Sequence, residues 1–432
     1  MMNRMAGQIG LHHHDTSAVP ADNRWRTQTG WQHSAMSDRV LLTCSAGFRS
    51  AAAGCTGILL GSWAAAAKIP PLFAGTLVSV GLAGAALAAL IVTLRGDQWG
   101  RRRTLATLAG LSAIGGTVLA LLPSDWHGAL LAAALIGMVN GMGKDRSAAL
   151  NIEQAMLPNT TTDAGRTQTF AWYSMTADIA GGLGALAAGL PSWLVASGES
   201  ASPESCRWMI GAVALIGVIG VPLALAMSPA VEAPALRLPV SPEGRRTITK
   251  LSGLFALDAI GGGLLTTAAI SYILADHFSA SPGYLAVLFA GAKVLNAVSH
   301  LGAAWLAKRI GLVNTMVFTH LPSSLLLVTV AIAPNLWIAS ILFLLREGLV
   351  EMDVPTRSSY VVAVVAPHER TAASGITGIV RIGGWAVGAA IAGPLMDGTS
   401  IVAPLVAGAG SKILYDLLLW RAFKHVKPPE ER

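Results

Sequence analysis

Isolated charged and amide side chains interrupt several long apolar stretches of this sequence. A charged side chain in an apolar helix is costly in hydrocarbon, so it should face the interior of a helix bundle and have a partner there. A carboxylate or imidazole in changing surroundings can carry a proton, and a fixed arginine or lysine can hold an anion. Eight residues are candidates for contact with a polar solute or a proton: Arg49, Asp178, Asp258, Lys293, Asn296, Arg346, Glu347 and Arg381.

Two aspartates among these residues are the best candidates for carrying a proton. Asp258 is followed by the glycines of residues 261–263, which would let a neighbouring helix or a solute approach closely. Asp178 stands halfway along its own apolar stretch and ranks second. In a third stretch, Lys293 and Asn296 are spaced i and i+3, which places both on one polar helix face.

The same kind of pattern also allows a structural role, in which opposite charges pair across helices and fix their packing. We expect this role for Glu351, Asp353 and Arg357, which lie towards one end of their apolar stretch. Asp353 and Arg357 are spaced i and i+4, as in an ordinary ion pair on one helix face. For the charges nearer the middle of their stretches, we expect a functional role.

The composition indicates that these apolar stretches lie in lipid. Hydrophobic residues make up 53% of the 432 residues and charged residues only 12%. A soluble domain normally carries about 25% charged residues. The 47 glycines agree with this assignment, because glycine is well tolerated in lipid-embedded helices. We therefore expect a polytopic membrane protein embedded in a lipid bilayer.

Several functional classes are excluded by what the sequence contains. The net charge of +7 comes from short segments between apolar stretches, so it does not predict a nucleic-acid partner. The three cysteines form no CxxC pair, and no metal-ligand cluster such as HExxH occurs. We therefore expect no metal, no cofactor and no enzymatic activity. A phosphate-binding P-loop is also absent, which argues against ATP as an energy source.

Twelve stretches are long and apolar enough to cross a membrane, since a crossing helix needs about 20 mostly apolar residues. They fall into two groups of six on either side of a polar, proline-rich segment. The first group lies at about 40–65, 71–94, 104–122, 128–147, 168–190 and 207–227, and the second at about 250–274, 282–306, 312–332, 335–356, 371–394 and 401–421.

This grouping predicts two six-helix bundles joined by a linker. The predicted organisation is a polar, disordered cytoplasmic tail at 1–39, a first bundle at 40–227, an extended cytoplasmic linker at 228–249, a second bundle at 250–423 and a cytoplasmic tail at 424–432. Cytoplasmic loops carry an excess of Lys and Arg. With both termini inside, 23 of these residues lie on the cytoplasmic side and two outside, which predicts this orientation.

The segment LRGDQWGRRRTL between the second and third stretches resembles a loop signature of the major facilitator superfamily. Asp97, Gly100, Arg101 and Arg102 match the signature, whereas other positions depart from it. A degenerate copy, LAKRIGLVN, lies between the eighth and ninth stretches and retains Gly311. The two groups of six also repeat internally: an offset of 204 residues carries Arg166-Thr167 onto Arg370-Thr371 and pairs Glu153 with Arg357. Further segments resemble a widespread bacterial group of this superfamily.

The resemblance implies an all-α fold of 12 transmembrane helices in two pseudo-symmetric six-helix halves. In this superfamily, the loop aspartate is thought to contact the start of a later helix and stabilise one conformation. The predicted conformational latch is therefore Asp97, Gly100, Arg101, Arg102 and Gly311. The resemblance further implies a central cavity lined by spans 1, 4, 7 and 10, with spans 2, 5, 8 and 11 beside them.

Taken with the buried charges, the resemblance leads us to expect a secondary active transporter of a small molecule. We expect a monomer in the cell inner membrane that exports its solute in exchange for protons. A Gly-rich fifth stretch only loosely matches the family's antiporter signature, so proton-coupled uptake of a small anion or nutrient remains an alternative. A non-transporting membrane sensor or scaffold is the alternative of another class.

Overall fold

The computed structural model describes residues 21–161, 166–194, 202–232, 240–365 and 369–425, and every regular element in these ranges is helical. Short 3-10 helices occupy Leu157–Thr160, Gly217–Ile219 and Pro229–Glu232. In chain order the α-helices are α1 (Ala21–Ala66), α2 (Pro71–Trp99), α3 (Arg101–Leu121), α4 (His127–Gly137), α5 (Ala148–Met156), α6 (Arg166–Ala187), α7 (Leu190–Trp193), α8 (Pro203–Ile216), α9 (Gly220–Ala226), α10 (Pro242–Leu264), α11 (Thr267–Phe278), α12 (Pro282–Ile310), α13 (Leu312–Ala331), α14 (Leu336–Val350), α15 (Asp353–Ala363), α16 (Arg370–Gly398) and α17 (Ala403–Phe423).

These helices correspond to the twelve predicted spans. Spans 1, 2, 3, 8, 9, 11 and 12 are the single helices α1, α2, α3, α12, α13, α16 and α17. The other five are interrupted and consist of α4 with α5, α6 with α7, α8 with α9, α10 with α11, and α14 with α15. In the described ranges, seven helical segments are long and apolar enough to cross a bilayer, including α2, α3 and α12. The remaining spans are broken or, like α1 and α17, carry charges within the apolar stretch.

Three predicted boundaries are wrong. The helix α1 begins at Ala21, so residues 21–39 are helical rather than a disordered tail. The helix α10 begins at Pro242, within the predicted linker, because Ser241 caps it by accepting a hydrogen bond from the Gly244 amide at 3.0 Å. The fourth span does not end at residue 147 but resumes as α5 after a non-helical segment.

The non-helical segment of span 4, residues 138–147, docks against the break between α10 and α11 in the other half. The Ala268 amide donates to the Gly141 carbonyl at 2.9 Å, and the Thr267 hydroxyl donates to the Met142 carbonyl at 2.9 Å. Irregular backbone at membrane depth is tolerated only where it is buried in protein or lines a cavity. The partner half therefore satisfies polar groups that span 4 cannot satisfy alone.

The two halves meet at the end of the bundle that carries the loops between spans 1 and 2 and between spans 11 and 12. We call this the closed end. The backbones of Gly75 and Gly393 approach so closely there that a side chain on either would collide with the opposite helix. The hydrogen bonds that join the halves at this end run from the Leu72 amide to Asp397 (2.9 Å), from Ser79 to the Ala386 carbonyl (2.8 Å), from Tyr272 to the Ile69 carbonyl (3.2 Å) and from the Gly283 amide to Ser192 (3.1 Å).

At the opposite end, no hydrogen bond or ion pair joins the two halves among the residues that the structure describes. This end carries the loop between α2 and α3, the loop between α12 and α13, and the last turn of α17. Within the described ranges, polar contacts therefore join the halves at one end of a central cavity and not at the other.

Candidate functional site

A polar cavity lies between the two halves and encloses about 830 Å³ of empty space, open solvent included. Most of its wall belongs to the second half, from α10 to α17, and the first half contributes residues of the non-helical segment of span 4. Eleven of the lining residues carry a formal charge: Lys144, Arg146, Asp258, Lys293, Arg346, Glu347, Glu351, Asp353, Arg357, Arg381 and Lys412. Seven of them are basic and four acidic, so the cavity wall has a net charge of +3.

Asp258 on α10 is the centre of a buried network of charges in this wall. Its carboxylate accepts from the Lys412 ammonium at 2.9 Å and from the Arg357 guanidinium at 3.2 Å. The Arg381 guanidinium lies further away, at 3.7 Å. The Asp258 side chain is only 4% exposed, so these cations replace the water that would otherwise solvate it.

The network continues through a histidine to a second buried aspartate. His320 Nδ1 lies 3.0 Å from both carboxylate oxygens of Asp416, and Nε2 lies 3.4 Å from the Lys412 ammonium. These contacts fit a neutral imidazole that donates from Nδ1 to Asp416 and accepts at Nε2 from Lys412. The result is a continuous polar chain from the cavity wall at Asp258 to Asp416, which is fully buried.

A second buried ion cluster lies within the first half, around Glu153 on α5. Arg49 donates to both oxygens of this carboxylate, at 2.7 and 2.8 Å, and its Nε donates to Asp145 at 2.7 Å. Ser45 and Tyr173 also donate to Glu153, at 2.8 and 2.5 Å. Glu153 therefore receives four donated hydrogen bonds although its side chain is wholly buried.

The two clusters are related by the internal repeat, with the signs of the charges exchanged. The offset of 204 residues that pairs Glu153 with Arg357 is matched by the structure, since each residue lies on the second helix of an interrupted span, α5 or α15. In the first half the span 4 acid binds Arg49 of span 1. In the second half the span 10 base binds Asp258 of span 7. Equivalent helix pairs are thus joined by ion pairs of opposite polarity.

The structure brings most of the predicted solute or proton residues together. Six of them line the cavity: Asp258, Lys293, Asn296, Arg346, Glu347 and Arg381. Arg49 instead lines a separate, mostly apolar crevice of the first half, where it is engaged by its two carboxylates. Asp178 is not in the cavity wall, and it forms no hydrogen bond or ion pair with another described residue.

The residues expected to serve packing belong to the same site. Asp353 and Arg357 form the predicted i, i+4 ion pair at 2.6 Å, but Arg357 also reaches Asp258, and both side chains line the cavity. Glu351 pairs across the halves with Lys144 at 2.5 Å. Their position towards the end of an apolar stretch was misleading, because span 10 is broken at residues 351–352 and continues as α15.

The predicted count of 23 basic residues on the cytoplasmic side includes Lys144 and Arg146, which the structure instead places in the cavity wall. Both lie in the non-helical segment of span 4 and line the cavity. With Arg357, which is also in the cavity wall, they leave 20 of the 23 basic residues that were counted as cytoplasmic. The predicted cytoplasmic side therefore still carries far more basic residues than the outer side, which has two. The cytoplasmic location of both termini remains a prediction.

The Lys144–Glu351 contact is the one ion pair between the halves in the described part of the chain, so breaking it should shift the conformational equilibrium. The side chains are 24% and 15% exposed, and we expect a contribution of about 1 kcal/mol, or roughly a fivefold change in population. Lys144→Met or Glu351→Gln should therefore favour separation of the closed end, measured as a distance between spin labels in the two halves. The exchanged pair Lys144→Glu with Glu351→Lys should restore the original distance. A distance that is the same in all variants would contradict this role.

Four of the five predicted latch residues lie at the junction of α2 and α3, and the fifth, Gly311, lies at the junction of α12 and α13. Gly100 and its repeat counterpart Gly311 have the same left-handed backbone conformation, with φ of 86° and 87°, which favours glycine at both junctions. The side chain of Asp97 lies outside the described residues. Among the described residues, Glu232 supplies a carboxylate at the start of α3, where it accepts from the backbone amides of Arg101 and Arg102 at 2.6 and 3.3 Å. This acid, from the predicted linker, gives the helix N-terminus the negative partner that it favours.

Comparison with known proteins gives a relative by sequence and several proteins of similar fold. No family model matches the chain. An uncharacterized membrane protein of Saccharomyces cerevisiae is 24% identical over 381 residues, which is 80% of this chain and 85% of the yeast protein. Because this relative is from yeast, the bacterial origin that the sequence resemblance suggested has no support.

Several solved transporter structures superpose on almost the entire chain. The nucleoside transporter NupG has a TM-score of 0.71 at 14% identity, covering 90% of this chain and 99% of NupG. The xylose transporter XylE from E. coli, in a partially occluded inward-open conformation, has a TM-score of 0.69 at 13% identity and covers 93% and 99%. The human organic anion transporter MFSD10 has a TM-score of 0.56 at 19% identity and covers 89% and 99%. The predicted fold is thus confirmed: this chain has the all-helical fold of major facilitator superfamily transporters.

Proposed function

We propose that the protein is a secondary active transporter that moves a small polar molecule by alternating access. A polar cavity between two pseudo-symmetric halves, whose described residues form hydrogen bonds across the halves at the closed end and not at the opposite end, is the arrangement that rocking of the halves requires. The hydrogen bonds of the closed end would break and contacts at the opposite end would form when the cavity changes sides. The structural likeness to NupG, XylE and MFSD10 supports this proposal through the fold.

We further propose that the transport is coupled to protons through Asp258. The observation that carries this proposal is the position of the Asp258 carboxylate, which is held in the cavity wall by Lys412 and Arg357. A rearrangement that withdraws either cation leaves a buried carboxylate undercompensated, and taking up a proton then removes the cost. His320 and Asp416 would extend the route by which the proton enters or leaves.

The charge of the cavity bears on the choice between the expected solutes. Seven basic and four acidic residues line the wall, which suits an anion better than the apolar or cationic compounds typical of drug export. We therefore propose an anionic solute. Export and import would use the same binding site, and the gradients of solute and protons across the membrane would set the direction of transport. We place the protein in a cell membrane with both termini in the cytoplasm, as the basic residues favour.

Reconstitution into liposomes containing a pH-sensitive dye tests the proposal. A panel of carboxylates, phosphate esters, sugars and nucleosides is added under a pH gradient of either sign, and solute and proton movement are recorded together. We expect an anion from the panel to move with protons, and the sign of the gradient that drives its accumulation gives export or import. Movement of solute without protons would refute the coupling. Absence of any flux, from a protein that is folded and oriented, would favour the sensor or scaffold.

A further inference from the structure

The charges of the cavity wall do not cancel, and three cations are left over after the closest pairs are counted. Each of the four acids forms an ion pair with its nearest base: Asp258 with Lys412, Asp353 with Arg357, Glu351 with Lys144 and Glu347 with Arg346. Arg146, Lys293 and Arg381 remain. Arg381 reaches Asp258 only at 3.7 Å, behind two closer cations, and the other two have no ion pair with a described residue.

Two of these cations share one aromatic ring. The guanidinium of Arg146 lies 4.7 Å from the centroid of the Trp385 indole, and that of Arg381 lies 4.9 Å from the same centroid. Stacking of this kind holds a guanidinium group by its face and leaves its N–H edge for an oxyanion. Arg146 comes from span 4 and Arg381 from span 11, so the two halves of the protein each supply one arginine.

The donors of both arginines are incompletely used. The Nε atoms of Arg146 and Arg381 are buried, and neither has a hydrogen-bond partner within the described part of the chain. A buried donor without a partner is costly, and such groups in a cavity point to a ligand that would accept the bond. Lys293, in the same wall, is a third cation that forms no ion pair with a described residue.

We propose that Arg146, Arg381 and Lys293, with Trp385 as the stacking platform, bind a small dianion with carboxylate or phosphoryl groups. This proposal deepens the proposed function, on which the transport of that ligand depends. A single negative charge would leave two of the three cations uncompensated, whereas a dianion leaves one. Planar, bidentate acceptors match guanidinium donors, which is the geometry that carboxylates and phosphates offer.

The site also explains how the ligand would act on the conformation. Because Arg146 belongs to the first half and Arg381 and Lys293 belong to the second, a dianion held by all three links the halves across the cavity. Its binding would be strongest in the state in which these residues are closest together. The ligand would thereby favour closing of the cavity around itself, as alternating access needs.

Calorimetric titration of the purified full-length protein tests the site without relying on transport. The probes are succinate and inorganic phosphate, with acetate as the singly charged probe and succinamide as the uncharged one. We expect succinate or phosphate to bind, and acetate and succinamide to bind at least about tenfold more weakly, since 1.4 kcal/mol corresponds to a factor of ten. Which of the two dianions binds more tightly distinguishes a carboxylate from a phosphoryl ligand.

Variants of the three cations complete the test. Arg146→Gln, Arg381→Gln and Lys293→Met should each weaken dianion binding about tenfold or more, and Arg381→Lys should weaken it less than Arg381→Gln does. Arg309→Gln is the matched control, because Arg309 stacks on Trp305 at 4.2 Å but lies on the exposed end of α12, away from the cavity. Thermal melts separate lost binding from lost folding.

Two outcomes overturn the site: equal binding of succinamide and succinate, or unchanged dianion binding in folded Arg146→Gln and Arg381→Gln variants. The same experiment separates this proposal from the proposed function. Dianion binding by a protein that moves no solute in liposomes would leave the site intact and refute transport. Flux of an uncharged solute by a protein that binds no dianion would refute the site and leave transport intact.

Discussion

Replacing Asp258 with asparagine is expected to uncouple solute movement from protons and to destabilise the second half of the protein. The variant removes the charge that compensates Lys412 and shares in compensating Arg357. Losing one partner of a buried ion pair costs about 3–5 kcal/mol, because the other charge stays buried without compensation. We expect flux under a solute gradient to persist in the folded fraction but to become independent of the pH gradient.

A double variant separates the two effects of this substitution. Lys412→Met keeps the side-chain length and removes the excess positive charge, so Asp258→Asn with Lys412→Met should recover most of the lost stability without recovering the coupling. Stability of the second half can be read by the reaction of a thiol dye with a cysteine placed at the buried position Ala409 on α17, after Cys44, Cys55 and Cys206 are replaced with serine. Proton-coupled flux that survives unchanged in either variant would remove Asp258 from its proposed role.

Replacing Arg49 with methionine is expected to cost as much stability in the first half, for the opposite reason. Arg49 binds Glu153 through two hydrogen bonds and Asp145 through a third, so its loss leaves two buried carboxylates facing each other. We expect a loss of about 3–5 kcal/mol, measured by the reaction of a thiol dye with the buried Cys55 and Cys206 of the first half after the exposed Cys44 is replaced with serine. Arg49 does not line the cavity. In place of the predicted contact with the solute, we therefore propose that Arg49 has a structural role.

Restoring the charge balance is the control for this second prediction. Arg49→Met with Glu153→Gln removes one base and one acid, and should be more stable than Arg49→Met alone. Once the protein is folded, the double variant should bind and move its solute with the affinity of the unaltered protein. A large loss of solute affinity in the stable double variant would return Arg49 to the transport pathway.

The sequence predicts the architecture well because the bilayer imposes one strong rule, a long apolar stretch for each crossing. It also identifies Asp258 and Arg381 as important, since a charge within such a stretch needs a partner. The signal fails where a helix breaks inside the membrane. The charged residues Lys144 and Arg146 after an apolar run resemble the start of a loop, and only the docking of Ala268 onto the Gly141 carbonyl makes a buried break acceptable.

Asp416 is a site residue that the predicted set lacks, although the sequence carries a signal for it. It stands four residues after Lys412 in the last span, so both lie on the same face of α17. The partners of that face could not be known from the sequence, because His320 lies 96 positions away and meets Asp416 only through the packing of α13 on α17. Similarly, the Arg146–Trp385–Arg381 arrangement joins both halves and has no local sequence pattern.

Pulsed spin-label distance measurement at both ends of the cavity tests the central claim, alternating access, most directly. One pair of labels replaces two exposed residues at the closed end, Trp126 just before α4 and Trp337 in the first turn of α14, and another pair replaces Leu94 and Ile310 at the opposite end. A third pair, Trp126 with Leu94, lies within the first half as a control. With solute and a pH gradient, the account predicts a longer distance at the closed end, a shorter one at the opposite end and no change in the control. Two end distances that stay fixed, or that change in the same direction, would contradict it.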